Sequence, residues 1–300
     1  MILVTGATGN VGRELVNILV AQDVPVRALT RDVGSSNLPE EVEVVVADLK
    51  EDPTSVRKVL EGVHAIFLNP AAVRDPSELL AHAKDLGVEH IVLLSAMPVR
   101  DDLPIEKQPG FIARRHKMLE LQIEASGLRW THVRSNMLMS NAFFEIAPQI
   151  RMGNIVRQAY GDANSAPVDE RDIAAVVANV LMDPAHRGAV YECTGPESMT
   201  EKDKVRVIGQ AIGRELEFHE LTREEARGIL LATFPVQHSN GLAEEHVETV
   251  LNYAEQSIGA PARLTDAVER ITGKPPRSYA DWAASRASKF PAAPVLTASS

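Results

Sequence analysis

Three glycines near the start of the chain have the spacing of a phosphate-binding loop. Residues 5–12 read Thr5-Gly6-Ala7-Thr8-Gly9-Asn10-Val11-Gly12, between an apolar run that predicts a strand and an amphipathic stretch that predicts a helix. Gly6 allows a tight turn, Gly9 lets the backbone approach a pyrophosphate, and Gly12 permits close packing of the helix on the strand. Free N–H groups and the positive end of the helix dipole favour phosphate. The predicted cofactor-binding residues are Gly6, Thr8, Gly9, Asn10, Val11 and Gly12; a glycine-rich turn that binds nothing is the alternative.

The residues that follow the second predicted strand bear on which dinucleotide would bind. An acidic residue there typically reads the free ribose of NAD, whereas an arginine suits the 2′-phosphate of NADP. Both types occur, as Arg31 and Asp32. The planar guanidinium of Arg31 favours NADP(H), and NAD(H) remains possible through Asp32. A solvated surface arginine is the alternative for Arg31.

A histidine and a glutamate one helical turn apart form a second feature that could do chemistry. His116 and Glu120 lie at positions i and i+4 of a helix predicted over Arg114–Ser126. An imidazole titrates near neutral pH, and a carboxylate one turn away could fix its tautomer or raise its pKa. The pair therefore predicts a group that protonates or orients a substrate oxygen. An exposed histidine and glutamate on a charged helix are the alternative.

The elements that must position these residues alternate between short β-branched runs and helical stretches. This alternation predicts a parallel sheet built from βαβ units, and so an α/β fold with a Rossmann-type doubly wound sheet and a smaller C-terminal α/β substrate domain. The predicted strands are Ile2–Thr5, Val24–Thr30, Val42–Ala47, Ala65–Asn69, His90–Ser95 and Arg129–Arg134. The predicted helices between them are Val11–Ala21, Pro53–Leu60, Ser77–Leu86 and Arg114–Ser126.

The pattern becomes less regular beyond Asn136. We expect an NAD(P)-binding domain over 1–135, a substrate-binding region over 136–290 that is partly wound back onto the sheet, and a flexible tail over 291–300. The second region is predicted to contain strands near Ile155–Gln158 and Ala189–Glu192, and helices over Glu170–Met182, Lys202–Ile212, Arg223–Tyr253 and Arg263–Ile271.

Several side chains at the predicted carboxyl ends of strands are candidates for the rest of the site. Asn69 and Pro70 end the fourth strand, where the nicotinamide ribose is expected, or simply terminate it. Asn136 and Met137, after the sixth strand, are expected to line the nicotinamide pocket. Met97 and Phe143 are further candidates for the substrate wall, with the apolar core as the alternative for Phe143. No histidine or cysteine spacing suggests a metal site.

Composition limits the classes of partner. A net charge of −10 argues against a broad nucleic-acid surface, and no apolar run is long enough to span a membrane. The single cysteine, Cys193, fits a reducing compartment, and no signal peptide precedes the first strand. We therefore expect a cytoplasmic protein, a monomer or homodimer, whose partner is a small-molecule acceptor rather than nucleic acid or membrane.

The glycine spacing Gly-x-x-Gly-x-x-Gly resembles that of the short-chain dehydrogenase/reductase superfamily. Further segments resemble its atypical NmrA-like family: the strand ending Ala-Leu-Thr-Arg (28–31), Gly-Val-Glu-His-Ile-Val-Leu-Leu-Ser (87–95) and Ser-Gly-Leu-Arg-Trp-Thr-His-Val-Arg-Ser-Asn (126–136). The ending Ile-Thr-Gly-Lys-Pro-Pro-Arg-Ser-Tyr-Ala-Asp-Trp (271–282) is similar too, so the resemblance covers nearly the whole chain.

The resemblance implies roles for several positions. Asp48 and Leu49 lie where the superfamily contacts adenine, although Asp48 could equally cap a helix. Ser95 lies at the position of the superfamily's catalytic serine, or simply caps a loop. The usual Tyr-x-x-x-Lys pair is absent, because none of the four tyrosines has a lysine four residues later. His116 and Glu120 instead match the His-x-x-x-Glu of the dye-reductase and quinone-reductase-like branch.

These observations favour an NADPH-dependent oxidoreductase that transfers hydride to a quinone-like or other extended carbonyl or aromatic acceptor. Such an acceptor delocalises the incoming charge, which would explain how the reaction survives without Tyr-x-x-x-Lys. Because the family also contains redox sensors, a non-catalytic NADP(H)-binding regulator that docks on a protein is the first alternative. A biosynthetic ketoreductase or isomerase is the second.

Overall fold

A central sheet of seven parallel strands organises the computed structural model, which describes residues 1–31, 38–51, 55–233 and 243–290. The strand order is β3-β2-β1-β4-β5-β6-β9, and every neighbouring pair runs parallel. This order confirms the Rossmann-type doubly wound sheet. The strands are β1 (Ile2–Thr5), β2 (Val26–Thr30), β3 (Glu43–Val46), β4 (Ala65–Leu68), β5 (His90–Ala96), β6 (Arg129–Ser135) and β9 (Ala189–Cys193).

Helices cover both faces of this sheet, which is why strands such as β1 and β4 are buried along their whole length. One face packs on helices α2 (Val56–Leu60), α3 (Ser77–Asp85) and α4 (Gly110–Ala125) through side chains that include Leu60, Leu79 and Leu119. Helices α1 (Asn10–Val20) and α7 (Glu170–Met182) contact each other and the sheet. The buried stripe of α1 consists of Val11, Leu15, Val16 and Leu19, at the spacing of an amphipathic helix.

The chain forms two compact units. The first comprises Met1–Ser135, Glu170–Cys193 and Thr265–Pro275, and the second comprises Asn136–Asp169, Thr194–Leu264 and Pro276–Ser300. Two segments of the C-terminal half thus belong to the unit that contains the large sheet. They supply α7, β9 and helix α11 (Ala267–Thr272). The domain division at 135/136 stays a prediction, since the compact units are not consecutive blocks of sequence.

The second unit has its own small strands and helices. Strands β7 (Ile155–Ala159) and β11 (Glu217–Leu221) pair in parallel, and β8 (Asn164–Ser165) pairs antiparallel with β10 (Met199–Thr200). The core contains Ile150, Val156, Ile208 and the fully buried Trp282. The helices are α5 (Ala142–Glu145), α6 (Ala147–Met152), α8 (Glu201–Ala211), α9 (Arg223–Thr233), α10 (Ala243–Gln256) and α12 (Tyr279–Ser285).

Several predicted elements differ from those observed. Helix α4 begins at Gly110, four residues before the predicted start at Arg114, and the strand predicted near Ala189–Glu192 is the seventh strand of the large sheet. The strand β11 and the helix α12 were not predicted. Residues 52–54, 234–242 and the predicted tail 291–300 lie outside the described residues. Within the described ranges, no helix is both long and apolar enough to cross a membrane.

Candidate active site

The glycine loop between β1 and α1 has the backbone geometry that its sequence predicts. Gly6 has a φ of 63°, and a Cβ there would lie 2.8 Å from Nδ2 of Asn69. A Cβ on Gly12 would collide with the carbonyl oxygen of Gly6, so the helix can approach the turn only with glycine at this position. A Cβ on Gly9 would lie 3.2 Å from the same oxygen, a tight contact that a small shift relieves. Gly6 and Gly12 are therefore needed for the fold of the loop itself, and Gly9 much less so.

The loop lies where the strand order of the sheet reverses, since β1 is flanked by β2 on one side and β4 on the other. Dinucleotides bind at the carboxyl ends of the strands at such a point. Thr5 Oγ1 accepts a hydrogen bond of 2.7 Å from the Asn69 amide and donates one of 3.0 Å to the Phe67 carbonyl. The Asn69 side chain accepts one of 2.9 Å from the Ala71 amide. These bonds hold the two strand ends together beside Pro70 and the first turn of α1, which carries no acidic residue. The site thus fits the pyrophosphate of a dinucleotide.

Positive charge gathers near the ends of β2 and β3. Arg31 is exposed at the end of β2, while Asp32 lies outside the described residues. The pKa of Lys50 is lowered by desolvation first and then by Arg31, Arg115 and Arg74, with Asp48 opposing. Arg74 is already paired with Glu51 at 2.7 Å, and Arg115 donates to two backbone carbonyls. Arg31 and Lys50 are therefore the cations of this group that favour an anion such as phosphate.

Asp48 and Leu49 lie beside this cationic group. Asp48 Oδ1 accepts a hydrogen bond of 3.0 Å from the Lys50 amide, so it closes a turn rather than capping a helix. Leu49 is buried against the sheet. A cavity of about 180 Å³ opens next to them, with walls from Leu49, Lys50, Val56, Val73, Arg74, Asp75, Glu78 and Leu79.

Among the described residues, Glu120 makes no hydrogen bond to His116, and its support of the histidine is limited to opposing the fall of the His116 pKa. Glu120 is fully buried and accepts two hydrogen bonds from Arg134, of 2.9 Å from Nε and 2.7 Å from Nη2. It accepts a third, of 2.6 Å, from the hydroxyl of Ser95. Both oxygens of Glu120 are thus engaged by the sheet, and the hydroxyl proton of Ser95 is directed to Glu120 rather than to a substrate carbonyl.

Arg134 extends this network beyond α4 and was not a predicted site residue. It also donates to both carboxylate oxygens of Asp101, at 2.9 and 2.6 Å, and Lys117 donates to Asp101 at 2.8 Å. The four charges sum to zero, which makes burial of Arg134 and Glu120 tolerable. Hydrogen bonds from Arg134 and Ser95 hold the pKa of Glu120 below its usual value despite desolvation. An arginine inside a buried strand was the sequence signal for this network.

His116 is a neutral imidazole at neutral pH. Desolvation, followed by the charge of Arg115, lowers its pKa to about 4, and Glu120 opposes this only in part. Its Nδ1 atom is buried and has no hydrogen-bond partner among the described residues. Arg115, the preceding residue, donates hydrogen bonds of 2.8 and 3.0 Å to the carbonyls of Pro70 and Val73. Helix α4 therefore carries a weak hydrogen-bonding group rather than a strong acid, and its start is tied to the segment after β4.

The predicted pocket residues fall in both units. Met97 follows β5 in the first unit, where its amide bonds the Ser135 carbonyl at 3.1 Å. In the second unit, Oδ1 of Asn136 accepts a hydrogen bond of 2.7 Å from the Met137 amide, and Met137 lines a small cavity. Phe143 does not line that cavity.

The aromatic ring of Phe143 is part of the core of the second unit. It packs on Trp282 and Phe290 with ring-centroid distances of 5.3 and 5.1 Å. Phe143 is partly buried against this core, which favours the core alternative, and its place in a substrate wall stays a prediction.

One group of possible metal ligands lies in the first unit. Ligand atoms of Glu120, Glu124 and His132 lie within 4.8 Å of one another. Glu120 is already occupied by Arg134, and His132 Nε2 lies 3.2 Å from Glu124 Oε1. A buried guanidinium on the same carboxylate disfavours a second cation, so we assign no metal to this group.

The glycine geometry predicts that Gly9→Val abolishes dinucleotide binding and leaves the chain folded. A branched side chain would occupy the space that the pyrophosphate needs, whereas the contact with Gly6 can relax. We expect the Kd for NADPH to rise at least about 100-fold in calorimetry, with the melting temperature changed by only a few degrees. Gly228→Val, in the open part of α9, is the matched control and should bind normally. Normal binding by folded Gly9→Val would place the phosphates elsewhere.

The buried pair predicts that Glu120→Gln destabilises the protein by about 3–5 kcal/mol at neutral pH, because Arg134 loses its buried counter-charge. The folded pKa of Glu120 is depressed, so its contribution is present above the unfolded pKa of about 4.3 and is lost as pH falls through the folded value. In urea denaturation, the difference from wild type should therefore shrink below about pH 4. Glu106→Gln, at an exposed position, is the control. A loss under about 1 kcal/mol would mean that the pair contributes little.

Comparisons with known proteins identify the family of the chain. Residues 6–184 match a protein family described as NAD(P)H-binding. The (4-alkanoyl-5-oxo-2,5-dihydrofuran-3-yl)methyl phosphate reductase of Streptomyces griseus is 38% identical over 293 residues, which cover 97% of this chain and 99% of that protein. The NAD(P)H azoreductase of Xenophilus azovorans is 29% identical over 300 residues, covering 98% and 100%.

A solved structure shares the fold. The NADPH-dependent quinone oxidoreductase of Escherichia coli, complexed with NADPH, superimposes with a TM-score of 0.76 at 22% identity, over 95% of this chain and 99% of that one. The resemblance to the NmrA-like and quinone-reductase proteins is thereby confirmed. The chain belongs to the NAD(P)H-binding family and is an NAD(P)H-dependent oxidoreductase of the NmrA-like and quinone-reductase group.

Proposed function

We propose that the protein reduces conjugated acceptors, such as quinones and enones, with NADPH as the electron donor. The observation that carries the proposal is the partly buried imidazole of His116, whose Nδ1 has no hydrogen-bond partner among the described residues and whose pKa, lowered to about 4 chiefly by desolvation, leaves it unprotonated at neutral pH. A simple ketone needs a strong proton donor, because negative charge builds up on one oxygen. A conjugated acceptor spreads this charge over several atoms, so that a weak hydrogen-bond donor suffices.

NADPH, when bound, supplies the hydride. The loop from Gly6 to Gly12 would hold the pyrophosphate, with Asn69 and Pro70 beside the nicotinamide ribose. Arg31 would contact the 2′-phosphate, and the nearby positive charge of Lys50 adds to the preference for NADPH over NADH. This assignment rests on the cationic group at the ends of β2 and β3.

His116 would orient the acceptor by donating one hydrogen bond from its neutral ring to the acceptor oxygen. The position of the ring depends on α4, which Arg115 ties to the segment after β4 and Glu120 ties to β5 and β6. Ser95 and Glu120 are therefore proposed as positioning residues. The predicted roles of Met97, Asn136 and Met137 in binding the acceptor stay predictions.

The names of the relatives support this class of acceptor. The substrate named for the Streptomyces griseus reductase contains a ring double bond conjugated with two carbonyl groups. The Escherichia coli protein is named a quinone oxidoreductase, and the Xenophilus azovorans protein an azoreductase. In the conjugated double bond, the quinone and the azo group, the negative charge that arrives with a hydride is delocalised.

The cofactor part of the proposal predicts that NADPH binds at least about tenfold tighter than NADH, equivalent to about 1.4 kcal/mol. Arg31→Ala should remove the preference and leave NADH affinity nearly unchanged, as measured by calorimetry. Arg157→Ala, at another exposed arginine, should behave like wild type. Equal affinities in the wild-type protein would contradict the assignment and favour Asp32 as the ribose contact.

The acceptor part predicts that kcat/KM for 2-methyl-1,4-naphthoquinone exceeds that for acetophenone by at least about 100-fold. His116→Asn keeps a hydrogen-bond donor, so quinone turnover should fall less than about tenfold. The shape of the pH profile should also be unchanged, since neutral His116 does not titrate in the working range. A loss of about 10²–10⁴-fold, together with the disappearance of a limb near about pH 6.5, would instead identify a protonated histidine as the acid.

A further inference from the structure

Arg115 on α4 is a half-buried arginine that pairs with no carboxylate among the described residues. Desolvation lowers the pKa of its guanidinium, and no negative charge opposes this shift. Because burying a charge without a counter-charge costs free energy, the contacts of the guanidinium must compensate for that cost. Those contacts therefore indicate what the side chain does.

Both hydrogen bonds of Arg115 go to the turn that follows β4. Its Nη2 atom donates to the carbonyl oxygens of Pro70 and Val73, at distances of 2.8 and 3.0 Å. These carbonyls lie at the first residue of the short 3₁₀ turn Pro70–Ala72 and at the residue that ends it. A charged donor makes a stronger hydrogen bond to a carbonyl than a neutral donor does. One nitrogen of Arg115 thus holds both ends of the turn against α4.

The same turn is also held by Asn69 and by the start of the glycine loop. Asn69 Oδ1 accepts a hydrogen bond of 2.9 Å from the Ala71 amide, and the Asn69 carbonyl accepts one of 2.9 Å from the Ala72 amide. The Asn69 amide in turn donates to Thr5 Oγ1 at 2.7 Å. A continuous series of hydrogen bonds therefore connects the end of β1 with Arg115.

The charge of Arg115 acts on the next residue of the helix, His116. Two charges shift the pKa of this imidazole: Arg115 lowers it and Glu120 raises it, while desolvation is the largest cause of the fall. The side chain that holds the turn after β4 is thus also the one charged group that disfavours protonation of His116.

We propose that Arg115 is a positioning residue, which holds the turn after β4, beside the proposed site of the nicotinamide ribose, at a fixed distance from the helix that carries His116. The inference rests on the proposed function, to which the ribose site and the role of His116 belong. Arg115 has two separable properties, its hydrogen bonds and its charge. Arg115→Met keeps a long side chain but removes both properties, whereas Arg115→Lys keeps the charge and some of the donors.

The first measurement is the Kd for NADPH, by calorimetry, together with the steady-state reduction of 2-methyl-1,4-naphthoquinone. Arg115→Met should raise the Kd about tenfold, because the turn loses two hydrogen bonds from a charged donor. Its kcat should fall about three- to tenfold, since the ribose contact is no longer held relative to His116. Arg115→Lys should raise the Kd less than about threefold, because an ammonium group can still donate to a carbonyl of the turn.

The second measurement is the pKa of His116 in the same variants, by NMR titration. Arg115→Met removes a positive charge, so the pKa should rise, but it should stay below about 6.5 because desolvation remains. In Arg115→Lys the charge is kept, so the pKa should match that of the wild type. A role confined to folding would lower the melting temperature of the variants without producing this difference between them.

The matched control is Arg129→Met, at the exposed first residue of β6 on the opposite edge of the sheet, and it should reproduce the wild type. Circular dichroism of each variant checks folding, and Arg115→Gln replaces the methionine variant if that variant does not fold. A folded, uncharged Arg115 variant with Kd and kcat within about twofold of wild type would overturn the inference. If the Kd rises as expected but the wild type reduces no acceptor, the assignment of Arg115 stands and the proposed function fails.

Discussion

The bidentate hydrogen bond between Glu120 and Arg134 is the interaction on which the candidate site depends. It joins α4 to β6 inside the first unit, and the Ser95 hydroxyl joins the same carboxylate to β5. A charge buried this deeply is stable only with its partner in place, so the pair fixes the position of α4. His116 is carried on the same helix, and the hydrogen bonds of both Glu120 oxygens go to Arg134 and Ser95 rather than to the imidazole.

The protonation state of His116 limits which acceptors the site can reduce. The charge of Glu120, which is paired with Arg134, raises the pKa of His116 by less than desolvation and Arg115 lower it, so His116 stays neutral. A neutral ring can hold an oxygen but is a poor acid, which limits the favourable acceptors to those that carry negative charge themselves. The geometry of the cofactor-binding loop does not depend on the Glu120–Arg134 pair. It depends on Gly6 and Gly12, because a side chain at either position would collide with neighbouring atoms of the turn.

Much of the fold could be predicted from sequence because it depends on local patterns. The glycine spacing predicts the turn between β1 and α1, and the apolar runs predict the strands β1, β2 and β4. The structure confirms this turn and these strands. The pairing of Glu120 could not be predicted in this way. Its spacing to His116 is four residues along a helix, but its partner Arg134 lies in a later strand, and only the sheet brings the two together.

The second unit was less predictable for the same reason. Lys204, Glu145 and Tyr279 come from three separate helices, and nothing local marks them as neighbours. The start of α4 at Gly110 was missed because glycine has a low helix propensity. The strand Ala189–Cys193 was recognised, but its place as the seventh strand of the large sheet follows from pairing with β6.

The most direct test is the pKa of His116, measured by NMR titration of the nine imidazoles and assigned with His116→Asn. We expect a pKa of about 4 for His116, whereas a value at or above about 6.5 would contradict a neutral, buried imidazole.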